Sequence, residues 1–189
     1  MKKNNSSKNT FLLHCCCAPC ALPMIEYLKG LNINPDLYFS NSNIFPKKEF
    51  EKRKEEVKKI AGFYHLNLII DNYQHSRWLK FLKENLNQPL ENYPENGQRC
   101  QKCFEFRLKN TFDFARDNNY QRWGTTLSVN RFKDTDFINN FSLAISNNGP
   151  QYFVFSVSKN GFSKESLQLT KKYQIYRQKY CGCEFSINH

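Results

Sequence analysis

Short apolar runs alternate along the chain with longer stretches in which apolar residues recur every three or four positions. The short runs predict strands at residues 10–16, 36–41, 66–71 and 151–157, and a strand that runs into a polar loop at residues 122–130. The longer stretches predict helices at residues 21–30, 47–63, 76–86, 102–119, 135–148 and 163–180. Strands that alternate with helices favour right-handed crossovers, and so a mostly parallel sheet with helices on both faces. We therefore expect one α/β domain over residues 10–189, after a loose polar segment at residues 1–9.

The first strand leads directly into a run of cysteines. The helix that follows, residues 21–30, is predicted to have Pro23 in its first turn and Gly30 at its end. Parallel sheets place ligand sites at the carboxyl ends of their strands, so the cysteine run lies where an active site is expected. His14 precedes this run, and we expect it to be a hydrogen-bonded core residue rather than a proton donor.

The last predicted helix, residues 163–180, is basic and aromatic. One face of it is predicted to carry Leu169, Tyr173, Tyr176 and Tyr180. Its lysine and arginine residues suit an RNA surface, and they suit an ordinary solvated face equally well.

Composition and charge narrow the classes of function. The chain has 189 residues, with 28 Lys plus Arg against 17 Asp plus Glu, and a formal net charge of +11. A chain of this length can bury its own core, so its eight cysteines are not needed as staples. The positive charge indicates a polyanionic partner, or only a composition rich in Lys and Asn; both interpretations stay open.

Nothing in the sequence indicates a membrane partner or export. No apolar run approaches the roughly 18 residues of a membrane span. The run before the first cysteine, Phe11–Leu13, is also too short for the apolar part of a signal peptide. We expect a cytoplasmic protein, and in that reducing compartment clustered cysteines indicate metal ligands or redox chemistry.

Two cysteine groups have the spacing of metal ligands. Cys100 and Cys103 stand three residues apart at the start of a predicted helix, so both thiols can face one point. The run "CCCAPC" has more thiols than one tetrahedral ion takes. We interpret two of these thiols, with Cys100 and Cys103, as ligands of a 4Fe-4S cluster. Zinc bound by the same four ligands is the alternative that the spacing leaves open.

The C-terminal "YCGC" carries a different kind of pair. Cys181 and Cys183 are separated by one glycine, and a disulfide between them would close a tight, strained ring. Strained disulfides are the labile ones, which favours a redox-cycling pair. Two unconnected thiols, or ligands of a second metal, are the other interpretations.

Five segments together resemble the iron–sulfur epoxyqueuosine reductases of the QueH family. They are "LLHCCCAPC", "SNIFP" with the following "EFEKRK", "ENGQRCQKCFEFRLKNT", "WGTTLS" and "YQIYRQKYCGCEFS". The resemblance implies a parallel α/β fold of the HUP (nucleotide-alpha-hydrolase) type. It also implies an oxidoreductase that converts epoxyqueuosine in tRNA to queuosine, the last step of queuosine biosynthesis.

The same resemblance assigns roles by position. It implies that the 4Fe-4S ligands are Cys16, Cys17, Cys100 and Cys103. It implies a redox-active disulfide between Cys181 and Cys183, and it makes Cys20 a ligand of a second metal such as a mononuclear iron. Cys15 stays outside the cluster. The implied partners are the tRNA anticodon loop that carries epoxyqueuosine and an electron donor that the sequence does not identify. The loop "VNRFKD" differs from the Ser-Pro and lysine that relatives often carry, so no substrate contact is assigned to it.

Two other functions are kept as alternatives. One is a zinc-dependent RNA-binding module, which would be colourless, whereas an iron–sulfur protein is brown. The other is an ATP-using tRNA sulfur-transfer enzyme of similar fold. That enzyme needs a Gly/Ser-rich pyrophosphate loop after the first strand, where this sequence has cysteines.

Overall fold

One parallel sheet organises the protein. The structure, a computed structural model, describes residues 10–129, 132–155 and 159–187. The strands are β1 (Phe11–His14), β2 (Asp36–Phe39), β3 (Leu68–Ile70), β4 (Arg122–Thr125) and β5 (Gln151–Tyr152). Every neighbouring pair is parallel, in the order β3-β2-β1-β4-β5. The segment predicted to be loose, residues 1–9, lies outside the described residues.

Within the residues that the structure describes, six helices cover the two faces of this sheet. They are α1 (Ala18–Gly30), α2 (Lys47–Tyr64), α3 (His75–Glu84), α4 (Gln98–Asp117), α5 (Thr135–Ile145) and α6 (Lys159–Lys172). Helix α1 packs between α2 and α6 on one face, and α4 packs between α3 and α5 on the other. Within the described residues, none of these helices is long and apolar enough to cross a membrane.

Strand β1 lies at the centre of the sheet, and all four of its residues are buried. Phe11 and Leu13 join the core under α1, α2 and α6, while Leu12 joins the core under α4 and α5. A strand that is covered on both faces reads as a continuous apolar run, which is why the sequence pattern identifies it. The predicted class, an α/β fold with a mostly parallel sheet and helices on both faces, is confirmed.

Helix α1 begins three residues earlier than predicted, at Ala18, and ends at Gly30 as predicted. Pro23 therefore lies inside the helix rather than in its first turn. Because proline has no backbone N–H, it leaves the carbonyl of Pro19 without its usual partner one turn back. The Ser166 hydroxyl on α6 donates to that carbonyl at 2.7 Å and replaces the missing hydrogen bond, so the helix can include Pro23.

The prediction of a helix over residues 163–180 is wrong in its second half, because α6 ends at Lys172. Gln174 adopts a left-handed backbone conformation with φ 52°, and the Ile175 N–H closes the helix end on the Thr170 carbonyl at 2.9 Å. Beyond Lys172 the chain is not helical until a short 3-10 turn at Glu184–Ser186. The predicted tyrosine face of the helix therefore does not exist.

The segment at residues 122–130, predicted as a strand that runs into a polar loop, is a strand over Arg122–Thr125 with a turn after it. The strand predicted at residues 151–157 is a strand only over Gln151–Tyr152, and the three other strands are also shorter than predicted. Residue 130 and residues 156–157 of these predictions lie outside the described residues.

Candidate active site: a cleft lined by cysteines

A cleft of about 870 Å³ lies beyond the carboxyl ends of the central strands. It is lined by the segment after β1, the loop after β2, the start of α4 and the C-terminal residues. Five of the eight cysteines contribute to its wall: Cys16, Cys17, Cys20, Cys100 and Cys181. The cysteine run therefore lies at the predicted edge of the sheet.

Three of these cysteines form a compact triad where β1 passes into α1. Cys16 follows the strand, Cys17 caps the N-terminus of the helix, and Cys20 stands in its first turn. Their sulfur atoms lie within 4.8 Å of one another, and those of Cys16 and Cys17 are 3.7 Å apart. Among the described residues, this is the group of His, Cys, Asp and Glu side chains placed to share one metal ion.

Neighbouring segments orient the triad. The Cys16 N–H donates to the Thr126 hydroxyl oxygen at 3.0 Å, and that hydroxyl donates to the Cys16 sulfur at 3.2 Å. The Gln178 side-chain amide donates to the Cys17 sulfur at 3.0 Å. Thr126 follows β4 directly, so the register of β1 with β4 fixes the position of Cys16.

The triad holds a thiolate most easily at Cys16. Hydrogen bonds from the Cys17 and Cys20 thiols hold the pKa of Cys16 well below its ordinary value, and the charges of Lys133 and Arg107 act in the same direction. The hydrogen bond to Cys16 raises the pKa of Cys17 to about 12. The thiolate is the form that binds metals and acts as a nucleophile, and a thiol of low pKa forms it most readily.

Two cations supply this positive charge, one buried and one half-buried. Arg107 of α4 is 3% exposed and donates to the Asn41 side-chain oxygen at 2.5 Å. The Lys133 ammonium lies 3.6 Å from the Cys181 sulfur. Burial lowers the pKa of Lys133, but the nearby thiols of Cys181, Cys16 and Cys20 outweigh burial and raise it, so Lys133 stays protonated.

The remaining site cysteines form a second group. Cys100 accepts a hydrogen bond from the Asn96 N–H at 3.3 Å, and Cys103, one turn further along α4, packs in the same apolar cluster as Cys183. Burial, with the nearby Cys183 and Cys181 thiols, raises the pKa of Cys103 to about 12, although Arg107 opposes this. Burial and Cys181 raise the pKa of Cys183 to about 11. Both thiols of the CGC pair are free, so the disulfide implied for them is not formed in this structure.

The structure therefore places five cysteines in the wall of one cleft, with Cys103 and Cys183 packed in an apolar cluster beside it, and the seven form two groups. The first group is Cys16, Cys17 and Cys20; the second is Cys100, Cys103, Cys181 and Cys183. Lys133 interacts electrostatically with both groups, since thiols of each raise its pKa. The ligand set implied by the family resemblance takes two cysteines from each group, whereas Cys20, assigned to a second metal, lies beside Cys16 and Cys17.

The two other side chains of this region are structural. His14 is fully buried; its Nε2–H donates to the Ser40 carbonyl at 3.1 Å and its Nδ1 accepts from the Thr125 hydroxyl at 2.8 Å. Burial lowers the pKa of His14 to about 3, so the ring is neutral, as expected of a core histidine. Cys15 is fully buried in the core on the opposite face of β1, where its thiol donates to the Leu13 carbonyl at 3.4 Å.

Sequence reasoning missed three cations that line the cleft: Arg53, Arg107 and Lys133. Arg107 stands seven residues after Cys100 and four after Cys103, so helical spacing alone puts it on their face of α4. Lys133 belongs to the loop to which no substrate contact was assigned from the sequence, and the structure places it in the wall of the cleft. Arg53 carried no signal of its own, because it lies in a run of charged residues that reads as a solvated face.

Comparisons with known proteins give a consistent answer. A family model described as "Epoxyqueuosine reductase QueH" matches residues 11–189. The epoxyqueuosine reductase QueH of Acinetobacter baylyi is 33% identical over 178 residues, which is 93% of this chain and 79% of the relative. That of Thermotoga maritima is 33% identical over 182 residues, 94% of this chain and 90% of the relative.

Among solved structures, the U34-tRNA thiolase NcsA of Methanococcus maripaludis, with its [4Fe-4S] cluster, aligns with 98% of this chain and 64% of its own. The identity is 12% and the TM-score 0.49. A likeness this weak bears on neither the fold nor the function of this chain.

Proposed function

This chain belongs to the epoxyqueuosine reductase QueH family, and we propose that it reduces the epoxide of epoxyqueuosine in tRNA to the alkene of queuosine. The observation that carries the proposal is the cleft at the sheet edge, with cysteines and buried cations in its wall. An epoxide reductase needs electron carriers together with a group that assists the departing oxygen, and this wall offers both kinds of side chain. We expect the enzyme to work in the cytoplasm, where its thiols stay reduced.

The residues present fit a 4Fe-4S cluster, which takes thiolate ligands. The proposed ligands are Cys16, Cys17, Cys100 and Cys103, with Cys20 beside them as a ligand of a second metal such as a mononuclear iron. Two further features support a bound group: within the described residues the Arg107 Nε and Gln178 Oε1 atoms are buried without a hydrogen-bond partner, and both residues line the cleft. When bound, the cluster supplies electrons one at a time.

The C-terminal cysteine pair supports a two-electron reaction. Removal of an epoxide oxygen as water, which leaves an alkene, consumes two electrons and two protons. Oxidation of the Cys181 and Cys183 thiols to a disulfide releases two electrons and two protons, so the two half-reactions balance. Lys133, protonated and next to Cys181, is placed to donate a hydrogen bond to the oxygen as negative charge develops on it.

The rim of the cleft supports a tRNA substrate. Lys164 and Lys179 are exposed on the rim, and Phe132 is 68% exposed there. Basic side chains bind phosphates, and aromatic side chains stack on the unstacked bases of an RNA loop. The net charge of +11 favours the same partner. We therefore propose the anticodon loop that carries epoxyqueuosine as the ligand; the physiological electron donor is not identified.

Anaerobic metal analysis tests the cofactor. Cys100→Ser should lose most of its iron and sulfide, its brown colour and its activity, because it removes a cluster ligand at the cleft wall. Cys15→Ala is the matched control, since this cysteine lies on the other face of β1, and it should keep all three. Full iron and sulfide in Cys100→Ser would contradict the ligand set. A colourless wild-type protein that holds zinc would favour the RNA-binding alternative.

Salt dependence tests the RNA surface. Binding of substrate tRNA should weaken steeply with salt, and Lys179→Ala should lower the slope by about one counterion. Lys80→Ala, which removes a lysine whose side chain is 75% exposed on α3, is the control and should leave the slope unchanged. Equal turnover of free epoxyqueuosine nucleoside and of intact tRNA would argue against an RNA-binding rim.

A further inference from the structure

The C-terminal pair reaches the cleft on a non-helical segment, residues 173–183, which we call the strap. After α6 ends, the strap runs back along α2 in the opposite direction. The Tyr173 ring stacks on Phe63 near the end of α2, and the Tyr176 N–H donates to Glu56 at 2.9 Å further up the helix. Cys181 then meets Arg53, nearer the start of α2. Helix α2 is therefore the surface that guides the strap to the cleft.

Arg53 makes the most extensive of these contacts. Its Nη1 donates to the Cys181 carbonyl at 2.9 Å, and its Nη2 donates to the Tyr180 carbonyl at 3.2 Å. Its Nε donates to Glu49 at 2.7 Å, which fixes the guanidinium plane. The side chain is 3% exposed, so these bonds form away from water. A planar fork of donors on two successive carbonyls fixes a backbone in a way that a lysine ammonium does not.

Gly182 fits against the same guanidinium. Its φ of +142° lies in the region that side chains rarely adopt, and a Cβ there would meet the Arg53 Nη1 at 3.1 Å. The Gly182 carbonyl accepts a hydrogen bond from the Phe45 N–H at 2.8 Å. The absence of a side chain at Gly182 thus allows the backbone of the strap to approach the Arg53 guanidinium closely.

We propose that Arg53 is a positioning residue that holds the Cys181–Gly182–Cys183 backbone in the conformation of the dithiol. With this backbone fixed, the Cys181 sulfur lies beside Lys133, and the Cys183 sulfur lies 3.7 Å from the Ser186 hydroxyl. The two thiols therefore have different partners and are not bonded to each other. Release of the two carbonyls lets the sulfurs approach, which favours the disulfide. The inference rests on the redox role given to the pair under the proposed function.

The chemical step is an ordinary thiol–disulfide exchange. In a glutathione buffer, the Cys181 and Cys183 thiols lose two hydrogens and form one S–S bond, while glutathione disulfide takes them up and yields two glutathione thiols. The equilibrium constant of this exchange measures how strongly the fold favours the dithiol. It can be measured with or without turnover of epoxyqueuosine.

The test measures that equilibrium in the full-length, cluster-loaded protein, with thiols trapped by alkylation and read by mass spectrometry. Arg53→Ala should shift the pair towards the disulfide by about tenfold or more and lower the multiple-turnover rate by a similar factor, because a misplaced group of this kind costs up to about 100-fold. Arg53→Lys, which keeps the charge but not the fork, should shift in the same direction. Arg116→Ala, which removes an exposed arginine of α4, is the control and should match wild type.

Gly182→Ala provides the second route, because its Cβ pushes on Arg53 while Arg53 itself is intact. It should shift the equilibrium in the same direction, and it carries the test if Arg53→Ala does not fold. Equilibrium constants within twofold of the Arg116→Ala control, or a shift towards the dithiol, would overturn the inference. If no variant forms the disulfide, the inference is overturned together with the redox role, and wild-type turnover of epoxyqueuosine then decides whether the reductase function stands.

Discussion

The triad at the start of α1 and the CGC pair on the strap carry thiols to the same cleft by different means. Cys16, Cys17 and Cys20 are placed by backbone structure: a central strand, the N-terminus of a helix and the register of β1 with β4. The CGC pair is placed by hydrogen bonds between side chains of α2 and the backbone of the strap. The first arrangement rests on regular elements of the core, whereas the second rests on hydrogen bonds from a neighbouring helix and on the packing of Cys183 beside Cys103.

This difference suits the two tasks proposed for the thiols. A metal centre needs ligands that keep their spacing, and buried regular elements provide that rigidity. A dithiol that cycles with a disulfide must change its own geometry, and a segment outside the regular elements can open locally at low cost. The comparison predicts that changes at the triad affect metal binding, while changes on the strap affect redox cycling and leave the metal in place.

The largest expected effect separates the two groups of thiols directly. Cys181→Ser should keep its iron and brown colour but lose multiple-turnover reduction by about 100-fold or more, since the two-electron couple is gone. Cys17→Ser should lose the iron itself. Iron content and steady-state turnover, measured on the same anaerobic preparations, give both results. If Cys181→Ser also lost its iron, the CGC pair would be metal ligands; if it stayed fully active, the motif would be structural.

A smaller effect is expected on stability. Leu13→Ala, in β1 just before the cysteine run, should lower the free energy of unfolding by about 2–5 kcal/mol, because it leaves a cavity in a fully buried core. Tyr176→Phe removes the hydroxyl bond from the strap to Glu49 and should cost about 1 kcal/mol. Denaturant unfolding measures both. Equal costs for the two changes would mean that the strap is as firmly fixed as the core.

The smallest effect is a pH dependence at the end of the strap. His75 lies 3.2 Å from the Glu184 carboxylate and also bonds the Ser42 carbonyl at 2.9 Å. Burial lowers the pKa of His75, but these two contacts outweigh burial and raise it above 6.5. The contact therefore stabilises the fold fully below pH 6.5, and this contribution, at most about 1 kcal/mol, is lost as pH rises through the raised pKa.

His75→Gln provides the control for that titration. The loss of unfolding free energy between pH 6 and pH 8 should be smaller in this variant than in wild type, by the share that His75 contributes. An identical pH profile in the two proteins would show that the contact with Glu184 does not stabilise the strap.

The sequence predicts the regular part of the molecule well and the strap poorly. Strand β1 is identifiable because Phe11–Leu13 is apolar on both faces, and its position ahead of the cysteines locates the site. The helix predicted over residues 163–180 fails because Tyr173 and Tyr176 continue an apolar spacing that is used for contacts with α2. Periodicity does not distinguish a helical face from a segment whose side chains bind a neighbouring helix. The sequence does not single out Arg53 and Lys133 for the same reason, since only the tertiary structure shows that they line the cleft.

The position of Cys15 has a practical consequence. Because neighbouring residues of a strand point to opposite faces, Cys15 is sealed in the core while Cys16 opens to the cleft. A thiol reagent can reach Cys15 only when the whole sheet opens, since a buried thiol of raised pKa is inert. The rate at which Cys15 is labelled thus measures global unfolding. The labelling rates of the other seven cysteines can be compared with it in a single mass spectrum.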